Sequence, residues 1–286
     1  IELEKLQMRE QLNYEKINRN PFFVWNSIRL HRKLPPLSYP LVSFFDDSLI
    51  ILSSNIGTGR TPQLYRIALS TGNTYQTYAA FPSFDCPLVS ATHNKNIYFI
   101  YKNDIFKYDI RPNRLSKFDL DYFEPRIGQS ATFINDNLYI FGGKSLESNQ
   151  LLNDLIIFNS RHETISIIPS SDTSPTPRWL HTSFSFNNKL YIFGGETSDS
   201  QTQLYEFDIN LSQWKLIELR GNISPMRGCK CALKNNFVVV LSENSKTILI
   251  NLESYEVTEC ENFRNVPNHL NNYDFVSTNY QNTPLI

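Results

Sequence analysis

Residues 125–143 read PRIGQSATFINDNLYIFGG, and residues 177–195 read PRWLHTSFSFNNKLYIFGG. The second stretch begins 52 residues after the first, and the two align without a gap. Each stretch holds two short runs of aromatic and β-branched residues separated by an Asn-containing turn, which is the pattern of a β-hairpin. A repeat period of about 50 residues indicates an architecture built from many copies of one supersecondary unit.

Weaker copies of the turn and second strand flank this pair, at residues 46–52, 94–100 and 235–241. Each copy is followed by a third strand that usually ends in Asp or Asn, and a fourth strand is clearest at residues 213–217. Four short antiparallel strands repeated around an axis form the blades of a β-propeller. We therefore expect an all-β propeller of about six four-stranded blades.

The repeat sets the expected domain organisation. Residues 1–20 are predicted to form a short N-terminal helix or linker, because apolar residues recur there among charged ones. Residues 21–286 are predicted to form one propeller domain. The expected blade repeats are residues 31–80, 81–121, 122–170, 171–221 and 222–262, and a partial repeat, 263–286, is expected to close the ring with residues 22–30.

The composition argues against several classes of protein. Hydrophobic residues make up 41% of the 286 residues, which is too apolar for a disordered chain. The 27 Lys and Arg residues balance 28 Asp and Glu residues, so no bulk attraction to nucleic acid or an anionic membrane is expected. No apolar run approaches the roughly 20 residues that span a bilayer, and no secretory signal is seen. We expect a cytoplasmic protein without membrane insertion, and its oligomeric state is left open.

The best repeat carries the pattern by which a family can be named. An apolar strand ends in Gly194-Gly195, an aromatic residue and an aspartate follow at Tyr205 and Asp208, and an indole follows at Trp214. This pattern resembles the kelch motif, and the preceding repeat keeps its double glycine at Gly142-Gly143. The other three repeats lack the double glycine. In the motif these glycines are expected to permit a close approach and a sharp bend.

The kelch resemblance implies a non-catalytic scaffold or adaptor that binds other proteins, as in kelch proteins of signalling and cell polarity, and the many Asn residues favour the fungal group among these. An alternative that the resemblance leaves open is the substrate-recognition subunit of a ubiquitin ligase. A third is an oxidase or lyase built on the same fold, which would bind a metal at the propeller axis. Fold alone does not choose among these functions.

We found no residue pattern that carries catalysis. The five His residues are scattered, and the four Cys residues lack the paired spacing of a zinc site. Cys229 and Cys231 alternate along one predicted strand, so both are expected on one face as small buried residues. The sequence therefore predicts no catalytic residues, no cofactor and no metal site.

Three arginines stand at the start of successive repeats and are the main candidates for binding a partner. Arg126, Arg178 and Arg227 would form a basic arc on one face of a propeller, and Trp179 could add an aromatic anchor. Such an arc would suit acidic or phosphorylated peptide segments, because a guanidinium group donates paired hydrogen bonds. The alternative is that each arginine braces its own blade.

Polar, Ser-rich loops flank the two best repeats. They are predicted at residues 144–153, 170–176 and 196–203. Repeat proteins place variable loops on one face, so these segments are candidate contact loops or phosphorylation targets, with ordinary solvated loops as the alternative.

Overall fold

The computed structural model describes residues 31, 34, 38–54, 62–77, 81–198, 202–242, 247–259, 278–280 and 283–285. The predicted N-terminal helix and the segment 22–30 lie outside these residues, as does most of the predicted partial repeat 263–286. No conclusion on them follows from the fold described below.

The described residues form five antiparallel sheets in chain order, here blades 1 to 5, and one two-stranded hairpin. Each blade is built on four strands, and blade 3 has one further short strand. Blade 1 comprises β1 (Ser38–Phe45), β2 (Ser48–Ser54), β3 (Leu64–Ala68) and β4 (Thr74–Thr77), and blade 2 comprises β5 (Val89–His93), β6 (Asn96–Tyr101), β7 (Asp104–Asp109) and β8 (Arg114–Lys117). Blade 3 comprises β9 (Arg126–Ile127), which pairs with β11, then β10 (Ser130–Ile134), β11 (Asn137–Ser145), β12 (Leu151–Asn159) and β13 (Thr164–Ile168).

Blades 4 and 5 repeat the plan. Blade 4 comprises β14 (Thr182–Phe186), β15 (Lys189–Phe193), β16 (Leu204–Asp208) and β17 (Gln213–Ile217). Blade 5 comprises β18 (Lys230–Lys234), β19 (Phe237–Leu241), β20 (Thr247–Asn251) and β21 (Val257–Glu259), and the hairpin comprises β22 (Thr278–Tyr280) and β23 (Thr283–Leu285). The predicted all-β propeller is confirmed.

The turns between first and second strands explain the recurring asparagines. In blades 3 to 5 each of these turns contains two residues, and Asn135, Asn187 and Asn235 have φ values of 54°, 49° and 55°. Two-residue hairpin turns favour positive φ because their twist then matches that of the strands, and Asn tolerates this conformation better than most residues. The turn chemistry therefore fixes the register of each hairpin.

The second strand of each blade forms its buried centre. In blades 2 to 5, four consecutive residues of this strand are buried, at 97–100, 138–141, 190–193 and 238–241. Side chains alternate between the two faces of a strand, so a continuous buried run requires another blade against each face. The hydrophobic clusters lie accordingly between neighbouring blades, for example Phe141 of blade 3 with Trp214 of blade 4.

The first strands of the blades contact one another in sequence, from β1 to β5, β10, β14 and β18. The β22–β23 hairpin contacts both β18 and β1, so it lies between the last and the first blade. Our expectation of about six four-stranded blades was wrong for the described residues, which form five. Among the described residues, this two-stranded hairpin is what lies between blade 5 and blade 1.

The antiparallel plan gives the propeller two distinct faces. One end of the strands carries the Asn-rich turns between first and second strands, and we call it the asparagine face. The opposite end carries the double glycines, the connections between second and third strands, and the segments that link one blade to the next. We call this end the glycine face, and all the candidate binding residues and loops lie there.

Candidate functional site

Arg126 lies in the segment that connects blade 2 to blade 3, and its side chain is only 1% exposed. Its guanidinium group donates to both carboxylate oxygens of Asp154, at 2.6 and 2.9 Å, and to the carbonyl of Gly142 at 3.1 Å. The Nε–H group donates to the carbonyl of Glu124 at 3.0 Å. A buried arginine with this set of partners braces its own blade, and it cannot present its charge to a protein partner.

Arg178 occupies the equivalent place in blade 4 and is fully buried, at 0% exposure. It donates to the carbonyl of Gly194 at 3.0 Å and to the carbonyl and hydroxyl oxygens of Thr176 at 3.0 and 2.9 Å. Its guanidinium also lies over the ring of Tyr205, 5.1 Å from the centroid. The bracing role, which the sequence left open as the alternative, is therefore the one seen for both arginines.

The third arginine differs because the repeat register shifts by one residue. The first strand of blade 5 begins at Lys230, so the residue four places before it is Met226, as Arg126 and Arg178 are four places before β10 and β14. Met226 is 2% exposed and takes the buried place, whereas the side chain of Arg227 is 59% exposed. The predicted basic arc of three equivalent arginines was wrong, and Arg227 is instead equivalent to Trp179.

The double glycines lie against the connecting segment of the next blade. A Cβ atom on Gly142 would be 2.8 Å from the carbonyl oxygen of Arg178, and one on Gly194 would be 3.0 Å from that of Met226. The N–H groups of Gly143 and Gly195 donate to the same two carbonyls, at 2.9 and 3.1 Å. The glycines are thus needed where one blade meets the main chain of the next.

Four side chains meet on the glycine face, and we call them the Trp179 cluster: Lys144, Trp179, Glu196 and Arg227. The indole Nε1–H of Trp179 donates to Glu196 Oε2 at 2.9 Å, and Arg227 donates to Glu196 Oε1 at 3.1 Å. The ammonium group of Lys144 lies 5.1 Å from the centroid of the indole. The cluster spans blade 3, blade 4 and the segment that leads into blade 5, and it carries two cations and one carboxylate.

The remaining kelch-motif residues lie within or between blades. The side chain of Asp208 accepts from the N–H groups of Asn210 and Leu211, at 2.9 and 3.1 Å, and so caps the turn between β16 and β17. Trp214 packs 5.1 Å from the ring of Phe141 in the neighbouring blade. These contacts of Asp208 and Trp214 are structural, and they place neither side chain at a binding surface.

Blade 2 contains an equivalent contact that the sequence reasoning missed. Asp85 stands four residues before β5, where blade 3 has Arg126, and it accepts from Tyr101 at 2.7 Å and Lys102 at 3.1 Å. Tyr101 and Lys102 stand where blade 3 has its double glycine. These two hydrogen bonds lower the pKa of Asp85. Counting four residues back from each first strand would have found this position.

His181 and the two cysteines are buried next to the double glycines. His181 is 5% exposed, its Nε2 lies 2.9 Å from the hydroxyl of Ser130, and burial, with a smaller effect of Arg178, lowers its pKa to about 3. Burial raises the pKa of Cys231 to about 11. Within the described residues, no group of three His, Cys, Asp or Glu side chains is placed to hold a metal ion.

The predicted loops differ in structure. Half of residues 144–153 extends the strands of the β11–β12 hairpin, and residues 146–150 form its turn. Residues 170–176 are irregular, and hydroxyl groups of Ser171 and Ser174 hydrogen bond to each other at 3.1 Å. In the third loop, Glu196 pairs with Trp179 through the main chain, and residues 199–201 lie outside the described residues. Whether any of these loops is phosphorylated stays a prediction.

The described part of the chain contains no helix that is long and apolar enough to cross a membrane.

Three relatives illustrate which proteins the chain is similar to. The Rho GTPase-activating protein gacHH of Dictyostelium discoideum is 31% identical over 135 residues, which are 44% of this chain and 9% of that protein. The N-(sulfonatooxy)prop-2-enimidothioate sulfolyase of Thlaspi arvense is 33% identical over 95 residues, which are 32% of this chain and 27% of the enzyme. Kelch domain-containing protein 3 of Homo sapiens is 30% identical over 122 residues, which are 38% of this chain and 32% of that protein.

The match therefore spans at most 32% of the length of these three relatives. A family model agrees with the repeat pattern and the fold. The model of the KLHDC2/KLHL20/DRC7 Kelch-repeats domain matches residues 89–272, which are more than half of the chain. The chain belongs to this family of kelch-repeat propellers.

Proposed function

We propose that this propeller is a non-catalytic interaction module that binds other proteins through its glycine face. The observation that carries the proposal is the Trp179 cluster, in which an indole and two cations are partly exposed at the junction of three blades. Tryptophan and arginine are the residues most enriched among those that dominate binding energy at protein interfaces. The same face carries the connections that vary in length between blades.

The charges of the cluster favour an acidic or phosphorylated segment of a partner. Lys144 and Arg227 contribute two positive charges against the single carboxylate of Glu196. Arg126 and Arg178 are excluded from this role by their burial. Signalling is the proposed context, because gacHH is named as a GTPase-activating protein, and cell polarity is a narrower version of the same proposal. A cytoplasmic location is consistent with the reduced thiols of Cys86 and Cys231.

The test compares the two faces of the propeller. The wild-type chain, a Trp179→Ala/Arg227→Ala variant and a matched Arg161→Ala/His162→Ala variant would be used to capture proteins from native cytosol, followed by mass spectrometry. Arg161 and His162 are exposed in the turn between β12 and β13 on the asparagine face, so the control also removes one arginine and one ring. We expect partners to be lost only with the first variant. Equal retention by both variants would move the binding site away from the cluster.

A catalytic role is the second candidate, and the similarity to the sulfolyase is the observation that favours it. An oxidase or lyase of this fold predicts a metal at the propeller axis. Elemental analysis of the purified full chain by mass spectrometry tests this role directly. One equivalent of a transition metal retained after dialysis would favour the enzyme over the interaction module.

A further inference from the structure

Glu196 holds an unusual place in the Trp179 cluster, because its two carboxylate oxygens take two different donors. Oε2 accepts from the indole Nε1–H of Trp179 at 2.9 Å, and Oε1 accepts from Arg227 at 3.1 Å. The two donors come from different connecting segments, one leading into blade 4 and the other into blade 5. Their spacing therefore fits the two oxygens of a single carboxylate group.

The main chain of Glu196 is fixed independently of its side chain. The N–H of Glu196 donates to the carbonyl of Trp179 at 2.9 Å, and the N–H of Trp179 donates back to Glu196 at 3.2 Å. The carboxylate side chain is 35% exposed. Rotation about its side-chain bonds would thus free both donors without moving either blade, and a solvent-exposed ion pair of this kind contributes little to stability.

The surroundings of the donors favour a negative group. The ammonium of Lys144 lies 5.1 Å from the centroid of the Trp179 ring, on the same cluster. Without Glu196, the site would present an indole N–H, a guanidinium and an ammonium group. Arginine and indole donors of this kind bind a carboxylate most strongly when it is partly shielded from water.

We propose that Glu196 is an internal competitor that occupies the binding position for an acidic side chain, Asp or Glu, of a partner protein. The partner carboxylate replaces that of Glu196 between Trp179 and Arg227, and Glu196 turns outward into solvent. The cluster is then a recognition site for an acidic segment whose affinity is limited by a built-in carboxylate. This inference rests on the proposed binding function of the glycine face, and it names both the partner chemistry and the residue that restrains it.

The test uses the full chain and poly-L-glutamate as the probe, with binding at low ionic strength followed by isothermal titration calorimetry. We expect Glu196→Gln to bind about 5-fold more tightly than the wild type, since an exposed ion pair contributes at most about 1 kcal/mol. Arg227→Gln should bind more weakly than the wild type by a similar factor. Binding of each should weaken as salt is raised.

The matched control is Glu147→Gln, which removes one negative charge from the same face at a residue that accepts a hydrogen bond from Tyr122. An equal gain in affinity for Glu147→Gln and Glu196→Gln would reduce the effect to net charge and overturn the proposal. Absence of any binding by Glu196→Gln would overturn it as well. The proposed function could survive either result, because the capture experiment on the two faces uses no acidic probe.

Discussion

The residue four places before the first strand is Arg126 in blade 3 and Asp85 in blade 2, so the same position carries opposite charges. Arg126 is buried and reaches the carbonyl of Gly142, whereas the side chain of Asp85 is 70% exposed and binds Tyr101 and Lys102. In blade 2 the second strand turns directly into the third, with Tyr101 paired to Asp104. In blade 3 the hairpin continues past the glycines and lies against the next connecting segment.

This difference shows what the double glycine is for. In blades 3 and 4 it lies against the main chain of the segment that leads into the next blade, and its first carbonyl accepts from a buried arginine. In blade 2, where Tyr101 and Lys102 replace the glycines, the contact is made by side chains and is partly exposed. Substitutions at matched positions of the blades test this contrast.

Replacing Trp214 should have the largest effect, because the indole fills the space between blades 3 and 4. We expect Trp214→Ala to lower the free energy of unfolding by about 3–5 kcal/mol. The equivalent residue of blade 2 is Leu115, which is half-buried, and Leu115→Ala should cost about 1–2 kcal/mol. Urea titrations would measure both, and Lys215→Ala serves as an exposed control. Equal losses for Trp214 and Leu115 would contradict the contrast between the blades.

Replacing a glycine of the pair should be costly where that glycine lies against the main chain of the connecting segment. Gly195 has a φ of 93°, and an added Cβ would be 2.7 Å from the carbonyl oxygen of Trp179. We expect Gly195→Ala to destabilise by about 3 kcal/mol, from backbone strain and this clash. Lys102→Gly, at the position of blade 2 that matches Gly143, should change stability by less than about 1 kcal/mol. A tolerated Gly195→Ala, judged by its thermal unfolding midpoint, would remove the explanation given for the glycines.

Replacing Arg126 should destabilise the protein more than replacing Asp85, because Arg126 is buried and Asp85 is exposed. Arg126→Met leaves Asp154 and the carbonyl of Gly142 without their buried donor, and we expect a loss of about 2–3 kcal/mol. Asp85→Ala removes only exposed contacts and should cost less than about 0.5 kcal/mol. Blade 5 carries Met226 naturally, so the double variant Arg126→Met/Asp154→Leu should recover much of the loss. Chemical denaturation of all three variants measures the set, and a larger effect for Asp85 than for Arg126 would reverse our interpretation.

The smallest effect concerns pH and the junction between blades 3 and 4. His181 lies there, with its pKa lowered to about 3, whereas the junction between blades 2 and 3 has the uncharged Gln129 at the matching position. As pH falls below about 6.5, the histidine of the unfolded chain becomes protonated, whereas His181 in the folded protein stays neutral. His181 should therefore lower stability as pH falls, by about 2 kcal/mol between pH 7 and pH 5.

The variant His181→Gln reproduces the side chain of the other junction and should remove this dependence. The measurement compares the free energies of unfolding of the wild type and the variant at pH 7 and pH 5. The difference between the two free energies of unfolding should change with pH only below about pH 6.5. Above that pH the histidine of the unfolded wild type is also uncharged. Parallel pH profiles would mean that His181 is protonated in the folded protein.

The sequence predicted the propeller well because the repeats are defined by local chemistry. Turns of Asn or Asp and apolar second strands recur in every blade, and both are set by short-range preferences. The burial of Arg126 and Arg178 could not be predicted in the same way. It depends on Asp154, Thr176 and the glycine carbonyls, which come from strands and segments that a linear pattern does not bring together.

The candidate site was predicted only in part, for two physical reasons. The dipeptides at Arg178 and Arg227 look alike, but one fewer residue separates the latter from its strand, so the side chain faces the opposite way. The pairing of Glu196 with Trp179 joins residues on either side of a hairpin. Its register is visible only after the strands are aligned. The predicted count of six four-stranded blades differs from the structure because the described residues after blade 5 form a two-stranded hairpin.

The main-chain bonds from Gly143 to Arg178 and from Gly195 to Met226 have a consequence for how such proteins diversify. These bonds join consecutive blades through the main chain alone. The residue after each accepting carbonyl therefore has a side chain that is not used in the bond, and it is Trp179 in one case and Arg227 in the other. The neighbouring blade has Ile127 at the same place. An aliphatic, an aromatic and a cationic residue thus occupy one position of a repeating frame. Substitution of this residue during evolution can change what the surface recognises, while the main-chain hydrogen bonds that join the blades are kept.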